Sequence, residues 1–443
     1  MTTHSEDARQ WVHVASAAFA LLLRWLSWWQ AAALAGTALL FNTLVLPRIG
    51  GRRLYRPVDE ARGFPLGILL YPFAVLLLIL IFPTRLDIAA AAWGILAFGD
   101  GTATLVGRRA NGGKWPWNHD KTFAGSAAFV ICGGIGGAAL ACWTRPSVVP
   151  EPSLWFDIVA PIVAAAAAAL VETIPVRLDD NVSVPATAAV VLWIASLMSR
   201  GALIASRPGV LSQLPWAIGV NALVAWLGYK AGTVSISGTI VGGVIGFTIY
   251  AAAGPAAWAL LFVTFIVASV ASRLGWQRKV LLGIAEDRRG RRGAGNALAN
   301  CGVAALAAIA AASTPHPTAA LLALATALIA GGSDTVASEI GKAWGGSTFL
   351  ITSFGRVKPG TPGAMSLEGT TAGVVAAFGL AALAAALHQI AWSMIAAVVV
   401  GATAGAIVES VLGATLEGPG ILNNDMLNFI NTAVAAAVAL ALA

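Results

Sequence analysis

Residues 98–126 read FGDGTATLVGRRANGGKWPWNHDKTFAGS. Asp100 stands between Gly99 and Gly101, Arg108 and Arg109 follow, and Lys121-Thr122 come just before the next apolar run. An acid that can hold a metal, glycines that let backbone N–H groups approach oxygens, and nearby cations together suit a phosphorylated ligand. Further along, Glu172 precedes Asp179-Asp180-Asn181. A second set of the same types runs from Arg289 and Arg292 through Asp334, Glu339 and Lys342. It continues with Arg356, Lys358, Glu409 and Asp425.

Phosphoryl transfer needs little covalent help from a protein. It needs a metal bridging phosphate oxygens, cations on the developing charge and an aligned nucleophile. Mg2+ takes oxygen ligands, usually with one or two carboxylates. In the first set Asp100, Glu172, Asp179 and Asp180 are the candidate ligands, with Asn181 as a neutral oxygen ligand or orienting group. Lys121, Arg108 and Arg109 are its phosphate partners. In the second set the acids are Asp334, Glu339, Glu409 and Asp425, and the cations are Arg289, Arg292, Lys342, Arg356 and Lys358. A Gly-Asp-Gly turn is often no more than a helix stop, so the surrounding elements must decide. No GxxxxGKS or GxxxxGKT occurs, which excludes a P-loop enzyme. The absence of GxSxG, HExxH and CxxC leaves hydrolase and zinc chemistry without a basis. Cys132, Cys142 and Cys301 lie inside apolar runs, and the five histidines are scattered and form no ligand set; His119 alone falls in a motif.

The elements that must hold these residues are membrane helices. Of 443 residues 58% are hydrophobic and 11% charged, with mean hydropathy +0.80. A soluble chain carries about 25% charged residues. The apolar residues fall in blocks of roughly 17–24, the length that crosses a bilayer core as a helix. The sequence predicts an all-α polytopic membrane protein of about fourteen spans, from 26–46 to 427–443. Its net charge of +7 is read as a topology signal in the lipid bilayer, with no nucleic-acid partner. Residues 11–25, with Trp11 and Trp25, suit an interfacial helix. The start of the chain carries Glu6, Asp7 and Arg9 and no basic n-region, so no cleaved signal peptide is expected.

Alternating the connections between two faces puts 21 of the 27 Lys and Arg on one of them. The positive-inside rule makes that face cytoplasmic, in an inner membrane, with both termini outside. Most of the acids are there too. Asp100, Glu172, Asp334, Glu339 and Glu409 fall at or just inside the cytoplasmic ends of spans. Ionisable groups at that depth are costly and usually face a polar cavity or a partner.

The loops also repeat in order. An Arg-rich loop, the Gly-Asp stretch and VETIPVRLDDN are followed in the second half by EDRRGRRG, GGSDTVASEIGKAWGG and VESVLGATLEGPGILNND. Asp334 lies 234 positions after Asp100, and Glu409 lies 237 after Glu172. An even number of spans between them gives a parallel repeat of two tandem modules. The expected organisation is an N-terminal segment with the first span (1–60), a membrane domain (61–210), a connecting helix (211–234) and a second membrane domain (235–443).

The first module, through GDGTATLVGRR, WPWNHDKTFAGS and VETIPVRLDDNVSVP, resembles the phytol kinase branch of the CTP-dependent polyprenol kinases. Ala124 stands where dolichol kinases tend to have Glu. The second module resembles the phytyl-phosphate kinase family through GNALAN, SDTVASEIG, ITSFGRVKPGTPGAMSLEG and SVLGATLE, with Pro362 as a departure. The resemblance implies two consecutive kinases, an isoprenoid alcohol such as phytol and its monophosphate as substrates, CTP as phosphoryl donor and Mg2+ as cofactor. It implies catalytic roles for Asp100, Lys121, Glu172, Asp334, Glu339 and Glu409. It also implies phosphate contacts at Gly99, Gly101, Thr122, Asn296 and Asn300, and metal contacts at Asn424 and Asp425. The rival readings are a cytidylyltransferase acting on a lipid phosphate and a transporter with parallel repeats.

Overall fold

Long runs of Ala, Leu, Val and Gly leave little but helix as a way to satisfy the backbone in hydrocarbon. The structure, a computed structural model, describes residues 6–48, 65–110, 113–116, 118–173, 179–284 and 291–443. Among them, ten helical runs are long and apolar enough to cross a bilayer, and Leu66–Ile81 is a shorter apolar helix. The fold is an all-α polytopic membrane protein. Ten such runs stand against about fourteen expected spans, partly because two expected spans form one run, Ile236–Arg273. That run breaks at Gly254, whose φ of 89° is in the left-handed region that glycine enters without penalty. Its arms fold back on each other, since a Cβ on Gly246 would lie 3.3 Å from Trp258 Nε1.

The chain divides into two compact units, Met1–Ser196 and Leu197–Ala443. The expected connector 211–234 is instead mostly part of a second-unit helix, Arg200–Lys230, packed on Ile236–Arg273.

The first unit is built around Leu86–Arg109, 83% of whose apolar window is buried, against 33–39% for the three spans that follow it in the unit. Its small residues let neighbours come close. A Cβ on Gly94 would stand 2.9 Å from Gly136 O, and one on Gly137 would stand 3.2 Å from Ala91 O. This is the small-residue packing by which membrane helices associate. The helix widens into a π turn at Ile95–Asp100, opposite a second π turn at Phe129–Gly133. The segment expected as interfacial forms Glu6–Ala15 and Ser16–Arg24. Trp11 and Trp25 are exposed as expected, but Ala17, Ala20 and Leu23 pack into the core. A short antiparallel ribbon, Lys114–Trp115 with Asn118–Thr122, interrupts the helices.

The second unit centres on Pro317–Trp344, whose residues Leu322–Ser333 are all buried. Three short antiparallel strands follow: Thr348–Leu350 lies between Arg356–Val357 and Ala364–Ser366. Each ribbon leads into a capped helix. Thr122 Oγ1 accepts from Gly125 N at 3.1 Å, and Ser366 Oγ accepts from Gly369 N at 3.1 Å.

The two caps are built alike. In the first unit a Cβ on Gly107 would meet Thr122 Oγ1 at 3.1 Å and Gly125 Cα at 3.7 Å. In the second, a Cβ on Gly341 would meet Ser366 Oγ at 3.1 Å and Gly369 Cα at 3.7 Å. Gly341 lies 234 positions after Gly107, the same offset as Asp334 from Asp100.

Candidate functional site

Asp100 is not in a turn. It ends the π turn inside the continuous helix Leu86–Arg109, so its neighbours' N–H groups belong to helical hydrogen bonding and do not face a ligand. Gly99 and Gly101 have a steric purpose instead. A Cβ on Gly99 would be 2.8 Å from the Phe129 ring, and one on Gly101 would be 2.5 Å from Val14 Cγ2. The expected phosphate role for these two glycines is replaced by packing. A π turn re-aims the side chains that follow it and recurs at functional sites.

Three elements deliver carboxylates to one point. Asp100 comes from the central helix, Glu172 from the C-terminal end of Leu154–Thr173, and Asp180 from the first position of Asp180–Leu197. One oxygen from each lies within 4.8 Å of the others. Lys121, carried on the ribbon, donates to Glu172 and, at 3.1 Å, to Asp180 Oδ2. Burial of this ammonium works to lower its pKa, but the Asp180 and Glu172 carboxylates outweigh that and hold it above the ordinary lysine value. His13, which the sequence left outside any ligand set, brings Nε2 to 3.8 Å from Asp100 Oδ2 and 3.2 Å from Leu96 O. Its ring meets Tyr71 edge-on at 4.5 Å, and the Tyr71 hydroxyl accepts from Trp93 Nε1 and Ser16 Oγ, both at 2.8 Å.

The donor set fits a hard divalent cation. Ligand oxygens on one Mg2+ sit at most about 4.2 Å apart, twice the usual bond length, so small side-chain shifts would suffice. Asp179 does not join the cluster. Its Oδ1 accepts from Asn181 N at 3.0 Å and Asn181 Nδ2 at 2.7 Å, a turn-capping role. Asn181 is buried, and its Oδ1 has no hydrogen-bond partner among the described residues. Arg108 and Arg109 are exposed in the last turn of the helix, roughly 12 Å along its axis from Asp100. Thr122 is spent on its cap.

The second unit holds a cavity of about 1050 Å3. Its acids are Asp334, Glu409, Glu417 and Asp425 and its cations Arg291, Arg292 and Lys342, with amides from Asn296, Asn300, Asn424 and Asn428. Most of the second-unit residues expected from sequence therefore share one chamber. Glu409 Oε2 accepts from Asn431 Nδ2 at 2.7 Å. The acid and amide of the two units trade places. Asp180-Asn181 becomes Asn424-Asp425, 244 positions later.

Glu339 is the exception. Five residues of α-helix turn about 140°, so Asp334 and Glu339 cannot share a face. Glu339 does not line the chamber and pairs with Lys279, while Lys342 Nζ, from the chamber wall, reaches its other oxygen at 2.9 Å. Lys279 also donates to Ser272 O at 2.7 Å, and both members of the Lys279–Glu339 pair are buried. Position 105, the counterpart by the 234 offset, is Leu105. The expected catalytic and metal roles of Glu339 give way to a structural ion pair. Lys358 and Arg356 are exposed and do not line the cavity, and Arg289 lies outside the described residues. Lys279, Arg291, Glu417 and His13 were missed.

The description "Integral membrane protein DUF92" matches residues 219–436. A membrane protein of Synechocystis sp. is 41% identical over 204 residues, 44% of this chain and 78% of that one. The chain belongs to the DUF92 family of integral membrane proteins. Two plant proteins are also similar. "Protein VTE6, chloroplastic" of Arabidopsis thaliana is 36% identical over 213 residues, 46% of this chain and 64% of that one. "Probable phytol kinase 2, chloroplastic" of Glycine max is 32% identical over 155 residues, 34% of this chain and 52% of that one. The chain thus spans between half and two thirds of these plant relatives. No solved structure matches this DUF92 protein.

Proposed function

We propose that this chain is a membrane-embedded isoprenoid kinase with two phosphoryl-transfer sites. The first unit phosphorylates an isoprenoid alcohol such as phytol, and the second converts the monophosphate to the diphosphate, with CTP as donor. The observation that carries this reading is the Asp100, Glu172 and Asp180 cluster with Lys121 at its edge. Likeness to a protein named probable phytol kinase 2 supports the substrate class.

In the first unit the alcohol oxygen forms a bond to the γ-phosphorus of the donor as the bond to the β–γ bridging oxygen breaks. The hydroxyl proton passes to a carboxylate of the cluster, and the nucleoside diphosphate leaves. A magnesium ion held by Asp100, Glu172 and Asp180 would supply charge neutralisation for the phosphate oxygens. Lys121 holds the transferred phosphoryl group by charge, and His13 keeps the Asp100 carboxylate oriented. In the second unit Asp334, Glu409, Asn424 and Asp425 offer oxygen ligands, while Arg291, Arg292 and Lys342 meet the charge of monophosphate and nucleotide. The concentration of Lys and Arg on one face supports a cytoplasmic position for both sites in an inner membrane.

The deciding experiment incubates detergent-purified protein with magnesium, a panel of prenols and a panel of nucleoside triphosphates. Prenyl mono- and diphosphate with release of CDP is the expected outcome. Release of pyrophosphate would make the protein a cytidylyltransferase, and no nucleotide turnover would end the kinase reading.

A further inference from the structure

Beside the polar chamber of the second unit lies a smaller apolar groove of about 150 Å3. Its walls come from Arg200–Lys230, the hairpin Ile236–Arg273 and the helix Ala294–Ser313. The two spaces share Arg292, Gly293, Asn296 and Asn300 as a common wall.

One side of the groove carries glycines at 238, 242, 243 and 246. Two are needed for packing: a Cβ on Gly238 would lie 2.2 Å from Arg292 O, and one on Gly246 would lie 2.1 Å from Asn221 Oδ1. The other two are not. A Cβ on Gly242 meets nothing within 4 Å, and one on Gly243 meets Ala225 Cβ only at 4.0 Å. Glycine inside a helix costs about 1 kcal/mol relative to alanine, so these two positions keep open a space that packing does not require.

The shared wall is polar where the groove is not. The Arg292 guanidinium lies 5.9 Å above the Phe265 ring, a groove residue, and 3.5 Å from Asn296 Oδ1. Asn300 is buried in the same wall and donates through Nδ2 to Asn296 O at 3.0 Å. An apolar slot ending at a cation, next to a chamber of acids and cations, fits an amphiphile with an anionic head.

We propose that this groove seats the isoprene unit nearest the head of an isoprenyl monophosphate, with the phosphate at Arg292. This assignment rests on the kinase reading of the second unit. The size is decisive for how much of the chain is held. An apolar cavity of roughly 150 Å3 holds benzene, six carbons, so the groove takes about one isoprene unit and leaves the remaining tail to the bilayer. Recognition then lies in the head and first unit, and total chain length matters little.

The test uses Gly242→Leu and Gly243→Leu, at positions where an added Cβ meets no neighbour closer than 4.0 Å, and Gly242→Ala as the mild control. Diphosphate formation from five-, ten- and twenty-carbon prenyl monophosphates is measured in nanodiscs. The melting temperature and the kcat for diphosphate formation, both of which a misfolded second unit would lower, serve as controls on folding, and conversion of the alcohol to the monophosphate checks the first unit. The leucine variants should raise KM for every monophosphate by about tenfold or more while alcohol conversion stays unchanged, and Gly242→Ala should fall between them and the wild type. Arg292→Gln, which removes the cation at the phosphate, should raise KM more steeply still. Unchanged KM in the leucine variants, or a loss confined to the twenty-carbon substrate, would overturn the assignment while leaving the kinase standing. A wild-type protein that makes no diphosphate from any monophosphate would remove both.

Discussion

Replacing Glu339 by leucine separates a structural ion pair from a chemical one. The change strips the buried Lys279 ammonium of its carboxylate and leaves it the Ser272 carbonyl. Removing one member of a buried pair typically costs about 3–5 kcal/mol, since the other charge stays buried without compensation. In a unit of this size each kcal/mol moves the melting temperature by about 2–4 °C, so the drop should be of order 10 °C. Lys342 then loses its partner at 2.9 Å but keeps its place on the chamber wall. The double variant Lys279→Met/Glu339→Leu buries two apolar side chains in place of the pair and should recover most of the loss. The assay is thermal unfolding in detergent followed by circular dichroism, with diphosphate formation measured well below the melting point. Single and double variants should both retain that activity within a few-fold. Glu339→Gln abolishing diphosphate formation at an unchanged melting temperature would refute the reasoning and return Glu339 to the chemistry.

Asp100→Asn should abolish alcohol phosphorylation while sparing the monophosphate step, and Asp334→Asn should do the reverse, so that monophosphate accumulates in product analysis. Loss of both steps in either folded variant would refute separate sites. Gly99→Ala drives a Cβ to within 2.8 Å of the buried Phe129 ring, and overpacking of that kind costs about 1–3 kcal/mol, readable as a lowered melting temperature. Lys121 has its pKa raised in the folded protein, so its contribution to stability is complete below the ordinary lysine value and is lost as pH rises past it. Between pH 6 and about 9 the pH profile of alcohol phosphorylation should therefore carry no Lys121 titration, and Lys121→Arg should leave its shape unaltered.

Helices were legible because hydrophobic blocks of bilayer length admit little else. The grouping of charged residues was legible where loop order carried it, as at Glu172 and Asp180 in one cluster and Asp334, Glu409 and Asp425 in one chamber. What sequence concealed was direction. Asp100 looks like a turn residue beside two glycines, yet Gly99 and Gly101 are small because Phe129 and Val14 press on them within a helix. Glu339 looks like a partner of Asp334 when the stretch is taken as a loop, and a helical period sends it to the opposite side. His13 reaches Asp100 from a helix far upstream, through contacts that no local spacing announces. The short ribbons escaped notice because strands of two to five residues in polar connections leave no periodicity to detect.

The Lys121 ribbon gives the carboxylate cluster a counter-ion of its own. Many metal centres fold only around their ion, because like charges cannot be gathered without it. Here an ammonium on a two-stranded arm already sits between Glu172 and Asp180, so part of the cluster's charge is neutralised by the chain itself. On the kinase reading, a divalent ion would arrive with each nucleotide and depart with each product. Magnesium depletion should halt turnover while leaving the protein folded, and adding it back should restore turnover at the speed of binding.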